Sequence, residues 1–459
     1  MKKFTAGEIA AAVSGELLQG QPETAFTRVS TDTRQIKPGD LFVALIGERF
    51  DAHEFIDRAI AGGAAGLIVS RRAAAELWQG PVILVKDTLS ALQELARHNR
   101  RSFAGLVIAV TGSNGKTTTK DMIFSVLERK CPTLKTEGNF NNEIGLPLTM
   151  LQLDDSFGAA VLEMGMRGMG EIDLLAGLAL PDGAVITNVG ETHMERLGSV
   201  ANIGKAKGEI LEHVVPQGFA VLNGDDPMVR QQASRCQGRV IYYGTGADAE
   251  VRATNIEVTA GKASYTAVTP AGSIEIKLPI PGRHNVLNSM AAIGVGLQAE
   301  MTLSQIKTGL EETRLTAMRL EIIETGVATV INDSYNANPA SAKAALQILA
   351  DVGRGHRKVA IMGDMYELGS RTAQGHQEVG TAAVECKVDV LITIGKLAVE
   401  IALGASMTDE PPGEIISLNT NAEAKKYLEK IITTGDVVLV KGSRGVKLEE
   451  IVEYLVTKG

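Results

Sequence analysis

The run Thr111-Gly112-Ser113-Asn114-Gly115-Lys116-Thr117-Thr118-Thr119 brings glycine, hydroxyl and ammonium groups together in one short segment. Glycines let a backbone wrap an anion, Lys116 offers a cation on a flexible stem, and the Thr117 hydroxyl is a hard oxygen donor suited to Mg2+. Residues 106–110 form an apolar run of strand length before this loop, and residues 120–129 read as a helix after it. A loop so placed aims its amides from a helix N-terminus, where the dipole favours phosphate. Gly112 and Gly115 enclose two residues, against four in the common phosphate loop, so this is a shortened variant. A chance Gly-Lys-Thr lacks the flanking strand and helix; here a nucleoside triphosphate is expected, on Gly112, Ser113, Asn114, Gly115, Lys116, Thr117 and Thr118.

Other side chains could serve the same chemistry. Apolar residues 159–162 end in Glu163, a carboxylate at a strand tip that can complete a metal shell, although such acids are common. Asn139, Asn141 and Asn142 offer neutral donors and acceptors for a sugar or a peptide backbone, or simply favour a turn. Asn285 and Asn288 each carry an amide that can donate and accept; Asn285 could equally cap a helix. Ser443 and Arg444 follow the last strand-like run, and arginine is suited to bidentate capture of a carboxylate.

The elements that must position these groups repeat one pattern. Residues 40–45, 65–69 and 81–85 are short apolar runs bounded by Gly, Pro and Asp, which predicts buried strands of a small α/β domain over 1–103. Residues 90–101 read as a helix leading to the strand at 106–110, where a second domain, 104–316, begins. Its further runs at 158–162, 183–187 and 219–222 alternate with helical stretches, as in a parallel sheet wound with crossovers. From 251 to 280 the period changes to two, which predicts an antiparallel β insertion, and a helix follows over about 285–300. Strand-like runs at 328–331, 358–362, 390–394 and 437–440 predict a third, doubly wound domain over 317–459.

At 459 residues the chain exceeds one hydrophobic core, and its 44% hydrophobic and 22% charged content is that of a globular protein. A net charge of -8 argues against a broad nucleic-acid or membrane-binding surface, so an anionic substrate needs a local site. Cys131, Cys236 and Cys386 lie far apart without metal-ligand spacing, as reduced thiols would. Neither a signal peptide nor a spanning segment is legible, and a cytoplasmic monomer is expected.

The loop Thr-Gly-Ser-Asn-Gly-Lys-Thr-Thr at 111–118 resembles the ATP loop of the Mur ligases and their folylpolyglutamate synthetase relatives. That resemblance implies a substrate domain, an ATPase domain and a Rossmann-like C-terminal domain. It also implies an ADP-forming ligase that joins a carboxylate to an amine through an acyl phosphate. Residues 188–199 resemble the segment whose histidine binds a second metal, which lifts His193 above the surface role usual for a loop histidine. Residues 282–288 resemble the family's Gly-x-His-Asn-x-x-Asn adenine site, implying His284, Asn285 and Asn288; Asp333 aligns with a ribose-contacting acid and Arg319 with a phosphate-contacting arginine. Lys207 aligns with a lysine that carbon dioxide converts to a carbamate. Two Mg2+ ions held by Thr117, Glu163, His193 and carbamylated Lys207 are thereby implied, with Lys116, His193 and Lys207 as the catalytic set.

Ser30, Thr31, Asp32 and Arg34, with residues 38–55, resemble the uridine-nucleotide domain shared by the third and fourth ligases of the pathway. Residues 138–149, 332–339 (with Asn336), 363–369 and 441–445 resemble the member that adds D-alanyl-D-alanine to UDP-N-acetylmuramoyl-tripeptide. The Asp-Asn-Pro-Arg tetrapeptide usual in the third ligase is absent. The alternatives are a ligase adding a single lysine or diaminopimelate, a GTPase-like switch, and a non-catalytic UDP-sugar-binding protein. Against the switch, no Asn-Lys-x-Asp guanine signature occurs.

Overall fold

Residues 1–259 and 261–458 are described in a computed structural model. Its centre is the apolar strand Leu106–Thr111, flanked in parallel by Ala159–Glu163 on one side and Gly183–Ile186 on the other. Alternation sends Val107 and Ala109 to one core and Ile108 and Val110 to the other, so both faces are covered, as a parallel sheet requires. Register sets Glu163 beside Val110 and Ile186 beside Thr111, so three strands finish at one edge. Helix Lys116–Leu127 begins earlier than the sequence suggests. Residues 117–120 are buried, and packing overrides the weak helix propensity of threonine there.

The antiparallel strands Val251–Thr259, Lys262–Thr269 and Gly272–Leu278 do not stand apart as a separate unit. The first of them joins Arg239–Gly244 in parallel and so extends the edge of the same nine-stranded sheet. Alternation again explains why: Val251, Ala253, Tyr265, Ala267, Ile276 and Leu278 share a core with helix Arg283–Gln298, leaving the opposite face polar.

Two smaller sheets complete the fold. The N-terminal one orders its strands Glu16–Gln19, Val82–Leu84, Gly66–Val69, Leu41–Val43 and Val29–Ser30. The C-terminal one runs Glu321–Glu324, Ala328–Asp333, Asp436–Lys441, Lys358–Gly363, Val390–Ile394 and Glu414–Leu418. Glu321–Glu324 is antiparallel to its neighbour and the rest are parallel. The two outer strands escape the sequence pattern because they are edges, only half-buried and with no continuous apolar run of strand length. Lys441 is in register with Asp333 on one side and Met362 on the other. The strands carrying them thus leave the sheet together where the strand order crosses over, the usual position of a ligand crevice. Among the described residues no helix is long and apolar enough to cross a membrane.

Arg100 ties the helix Thr88–Arg101 to the central sheet. Its buried guanidinium donates to the carbonyls of Ala179 (2.8 Å), Leu180 (2.8 Å) and Phe103 (3.0 Å) and to Asp182 (3.1 Å). Replacing it strands those acceptors away from water. Arg100→Leu should cost about 3 kcal/mol or more of unfolding free energy in urea titrations; a loss under about 1 kcal/mol would show that water or a neighbour replaces the guanidinium.

Candidate active site

The carboxyl edges of the central and C-terminal sheets face each other across a cleft of ≈ 740 Å3. One wall is the phosphate loop, Ser113 to Thr118, with Asn188, His193, His284, Asn285 and Asn288; the other carries Asp333, Asn336, Tyr366, Glu367, Lys441, Ser443 and Arg444. Arg319 and Asn139 also line it. Residues from Asn114 to Arg444, distant in sequence, therefore meet at one cavity.

The loop is held from behind. Gly115 caps the helix Lys116–Leu127 with φ 78°, and a Cβ there would lie 2.6 Å from Asn288 Oδ1. Both facts require glycine. Asn188 accepts from the Asn114 amide (2.9 Å), while the Ser113 hydroxyl donates to the Gly190 carbonyl (3.0 Å) and accepts from the Gly190 amide (2.8 Å). Lys116 turns its ammonium back onto the Gly112 carbonyl at 2.7 Å. Burial lowers its pKa, Glu163 opposes that and Arg319 adds to it. Cations facing one another around an enclosed loop are what a polyphosphate would neutralise.

Glu163 is buried at the tip of its strand, its Oε1 accepting from Asn141 at 2.9 Å and its Oε2 left without a partner. An orphaned carboxylate oxygen beside a phosphate loop is the chemistry that a hard cation completes. Among the described residues no cluster of three His, Cys, Asp or Glu could hold a metal by itself. Any such ion would draw on hydroxyls, water and phosphate for its remaining ligands, which suits Mg2+. Lys207 is 1% exposed. Burial, reinforced by the neighbouring Lys116 charge, holds its pKa well below the usual lysine range, which favours the neutral amine. His193 sits in the left-handed region at φ 57° with Nδ1 2.7 Å from Glu367 Oε2, joining the two walls.

His284 and Asn285 open the helix Arg283–Gln298. Asn285 donates to the Pro281 carbonyl (2.7 Å) and accepts from Asn288 (3.1 Å), so the amides form a prearranged pair. Asp333 pairs with Lys441, which also donates to the Asn336 carbonyl at 2.9 Å. Ser443 accepts from the Tyr366 amide at 3.0 Å, and Arg444 bonds Glu449 (3.0 Å) at the cleft mouth. The remaining expected residues lie elsewhere. Ser30 ends a strand of the N-terminal sheet and Thr31, Asp32 and Arg34 follow in a turn, where Arg34 bonds Asp32 at 2.7 to 3.2 Å, outside this cleft. Asn142 accepts from the Gly145 amide (2.8 Å) and so serves the turn reading. Gly112, Glu163 and Lys207 do not line the cleft.

Sequence reasoning missed Asn188, Asn338, Glu367, Lys441 and Arg371. Asn338 donates to Asn114 Oδ1 at 2.7 Å and Arg371 bridges Glu191 and Glu378 at 2.8 and 2.7 Å, so both tie the phosphate-loop wall to the C-terminal wall. Nothing in a linear pattern pairs residues so far apart; the signal was that Asn188, Asn338, Glu367 and Lys441 lie inside the quoted motifs, and Arg371 had none.

Burial pushes the His284 imidazole down to about 4, against a small opposing pull from Asp333, so it is neutral near pH 7. As pH falls from 6.5 toward 4 the unfolded chain takes up a proton that the folded chain refuses, and stability is lost in that window. A His284→Gln variant should lose up to about 3 kcal/mol less between pH 7 and pH 4 in denaturant titrations. Parallel stability curves for the two proteins would refute the assignment.

Comparison with known proteins places these features in a family. The Mur ligase middle domain matches residues 110–296, the Mur ligase glutamate ligase domain residues 318–444, and the Mur ligase family catalytic domain residues 25–100. The UDP-N-acetylmuramoyl-tripeptide--D-alanyl-D-alanine ligase of Bacillus subtilis (strain 168) is 42% identical over 99% of both chains. A crystal structure of MurF from Acinetobacter baumannii superposes with a TM-score of 0.91 at 35% identity, covering 100% of this chain and 99% of that one. MurF ligase from Thermotoga maritima in complex with ADP gives 0.83 at 29% identity, covering 94% and 97%. With its phosphate loop at the edge of one sheet and a second sheet closing the cleft, the chain belongs to the Mur ligase family.

Proposed function

We propose that this chain is an ATP-dependent, ADP-forming ligase that joins the terminal carboxylate of UDP-N-acetylmuramoyl-tripeptide to the amine of D-alanyl-D-alanine, in cytoplasmic peptidoglycan precursor synthesis. The observation that carries it is the two-walled cleft: a phosphate loop faces Ser443 and Arg444 across one cavity, in a chain matched end to end by ligases of that name. Residues 1–103 serve the uridine nucleotide, 104–316 ATP and 317–459 the dipeptide.

Triphosphate and carboxylate repel one another, and the site must offset this before they can react. Lys116, released from the Gly112 carbonyl, takes the β and γ phosphates while the helix N-terminus receives their charge. His284, Asn285 and Asn288 hold adenine, Asp333 the ribose and Arg319 phosphate. The tripeptide carboxylate attacks the γ-phosphorus, ADP leaves, and an acyl phosphate forms. The dipeptide amine, its own carboxylate fixed by Ser443 and Arg444, then attacks the acyl carbon; it loses a proton and phosphate leaves with one oxygen of the former carboxylate. Asn139, Asn141 and Asn336 orient the substrates.

Glu163, Thr117, His193 and Lys207 are the residues that would hold Mg2+, which supplies neutralisation of phosphate charge. Reaction of neutral Lys207 with carbon dioxide gives an anionic carbamate and a proton, and places oxygen ligands where a buried ammonium would repel cations.

Substrate carboxylate labelled with heavy oxygen should deliver one labelled oxygen to the released phosphate; unlabelled phosphate would rule out the acyl phosphate. ADP release should need both UDP-muramyl-tripeptide and D-alanyl-D-alanine, and turnover with lysine or diaminopimelate instead would favour the single-amino-acid ligase. Lys207→Ala should lower kcat by about 100-fold or more, with partial recovery on adding a small carboxylic acid. Undiminished turnover at saturating substrates without carbon dioxide would exclude the carbamate.

A further inference from the structure

The linker between the central and C-terminal sheets is held from both sides. On the central side, Asp121 of the phosphate-loop helix is 1% exposed, and its Oδ2 accepts from both the amide and the hydroxyl of Thr316, each at 2.8 Å. Its Oδ1 accepts from Lys135 at 2.9 Å, with Lys120 at 3.5 Å. On the C-terminal side, the Met318 amide donates to Glu321 Oε2 and its carbonyl accepts from the Tyr335 amide, both at 3.3 Å. Met318 and Leu320, neither of them glycine, both lie in the left-handed region, at φ 63° and 52°. Such backbone persists only where the surroundings over-determine it. The residue between them is Arg319, whose guanidinium lies 4.2 Å from the Tyr335 ring centroid, whose Nε has no partner, and which lines the cleft.

We propose that Asp121 and Thr316 are positioning residues for nucleotide binding: their clamp fixes the left-handed linker that aims Arg319 at the phosphates. Asp121 lies on the helix whose first turn carries Lys116 and Thr117, so the two ends of the phosphate site, the loop and Arg319, are referenced to one rigid element. Without the clamp the linker relaxes toward right-handed backbone and Arg319 swings away, while the loop itself is untouched. This rests on the phosphate-binding role assigned to Arg319 above.

The test is a double-mutant cycle of Thr316→Val and Arg319→Ala, read as the dissociation constant of a non-hydrolysable ATP analogue by calorimetry and as Tm. Valine keeps the shape of threonine and removes only the hydroxyl bond to Asp121. Thr316→Val alone should weaken the analogue about tenfold with Tm within a few degrees of the parent; Thr316→Ser should restore binding. In the Arg319→Ala background, Thr316→Val should change nothing further. Additive effects would overturn the clamp while leaving Arg319 as a ligand, and so would a Thr316→Val protein that binds the analogue normally or one whose Tm falls in step with affinity. An Arg319→Ala protein with unchanged affinity would overturn the phosphate assignment and the clamp with it.

Discussion

A backbone turn with room for nothing but hydrogen governs this molecule. Gly115 must be left-handed to bring the chain from the strand Leu106–Thr111 into the helix Lys116–Leu127, and it must lack a side chain because Asn288 presses on it from the helix Arg283–Gln298. That contact fixes the loop against the amides expected to read adenine. Asn188 and Gly190 grip the loop from the next strand along, which places His193 at the same edge. The positions of His193, Asn288 and Lys116 are therefore consequences of one tight turn and the register of three parallel strands.

The second wall follows a similar rule. Asp333, Lys441 and the segment after Gly363 leave adjacent strands at the carboxyl edge of their sheet, where the order of strands crosses over. No single strand could present Asp333, Lys441 and the turn at Ser443 and Arg444 together with the segment after Gly363. The crossover leaves a crevice that loops from three strands can line. Because the dipeptide has to reach the acyl phosphate, the two crevices must oppose each other. His193 to Glu367, Arg371 to Glu191 and Asn338 to Asn114 are the side-chain contacts that hold them so. Exposed ion pairs of this kind are individually weak, which suits walls that must part to admit substrates and release products.

Buried charge is used sparingly and where it acts. Lys207 is buried within reach of the Lys116 charge, and Glu163, which also acts on Lys116, keeps an unmatched oxygen. Arg100 and Asp121, also buried, are fully committed to hydrogen bonds. The contrast separates Glu163, with an oxygen unmatched, from groups that hold the frame.

The sequence alone determined the α/β class, the central strands and the phosphate loop, because a buried parallel strand is a continuous apolar run and a phosphate loop is local. It also put Asn285, Asn288 and Glu163 at element ends, through motifs short enough to read in line. Tertiary structure alone decided that residues 251–280 extend the central sheet, since edge pairing depends on which face finds a core. It alone brought Lys441 to Asp333 and Thr316 to Asp121, contacts set by strand register and helix packing across more than a hundred residues. It also left Ser30, Thr31, Asp32 and Arg34 outside the cleft. Local chemistry is written in consecutive residues; convergence is a property of the packed chain.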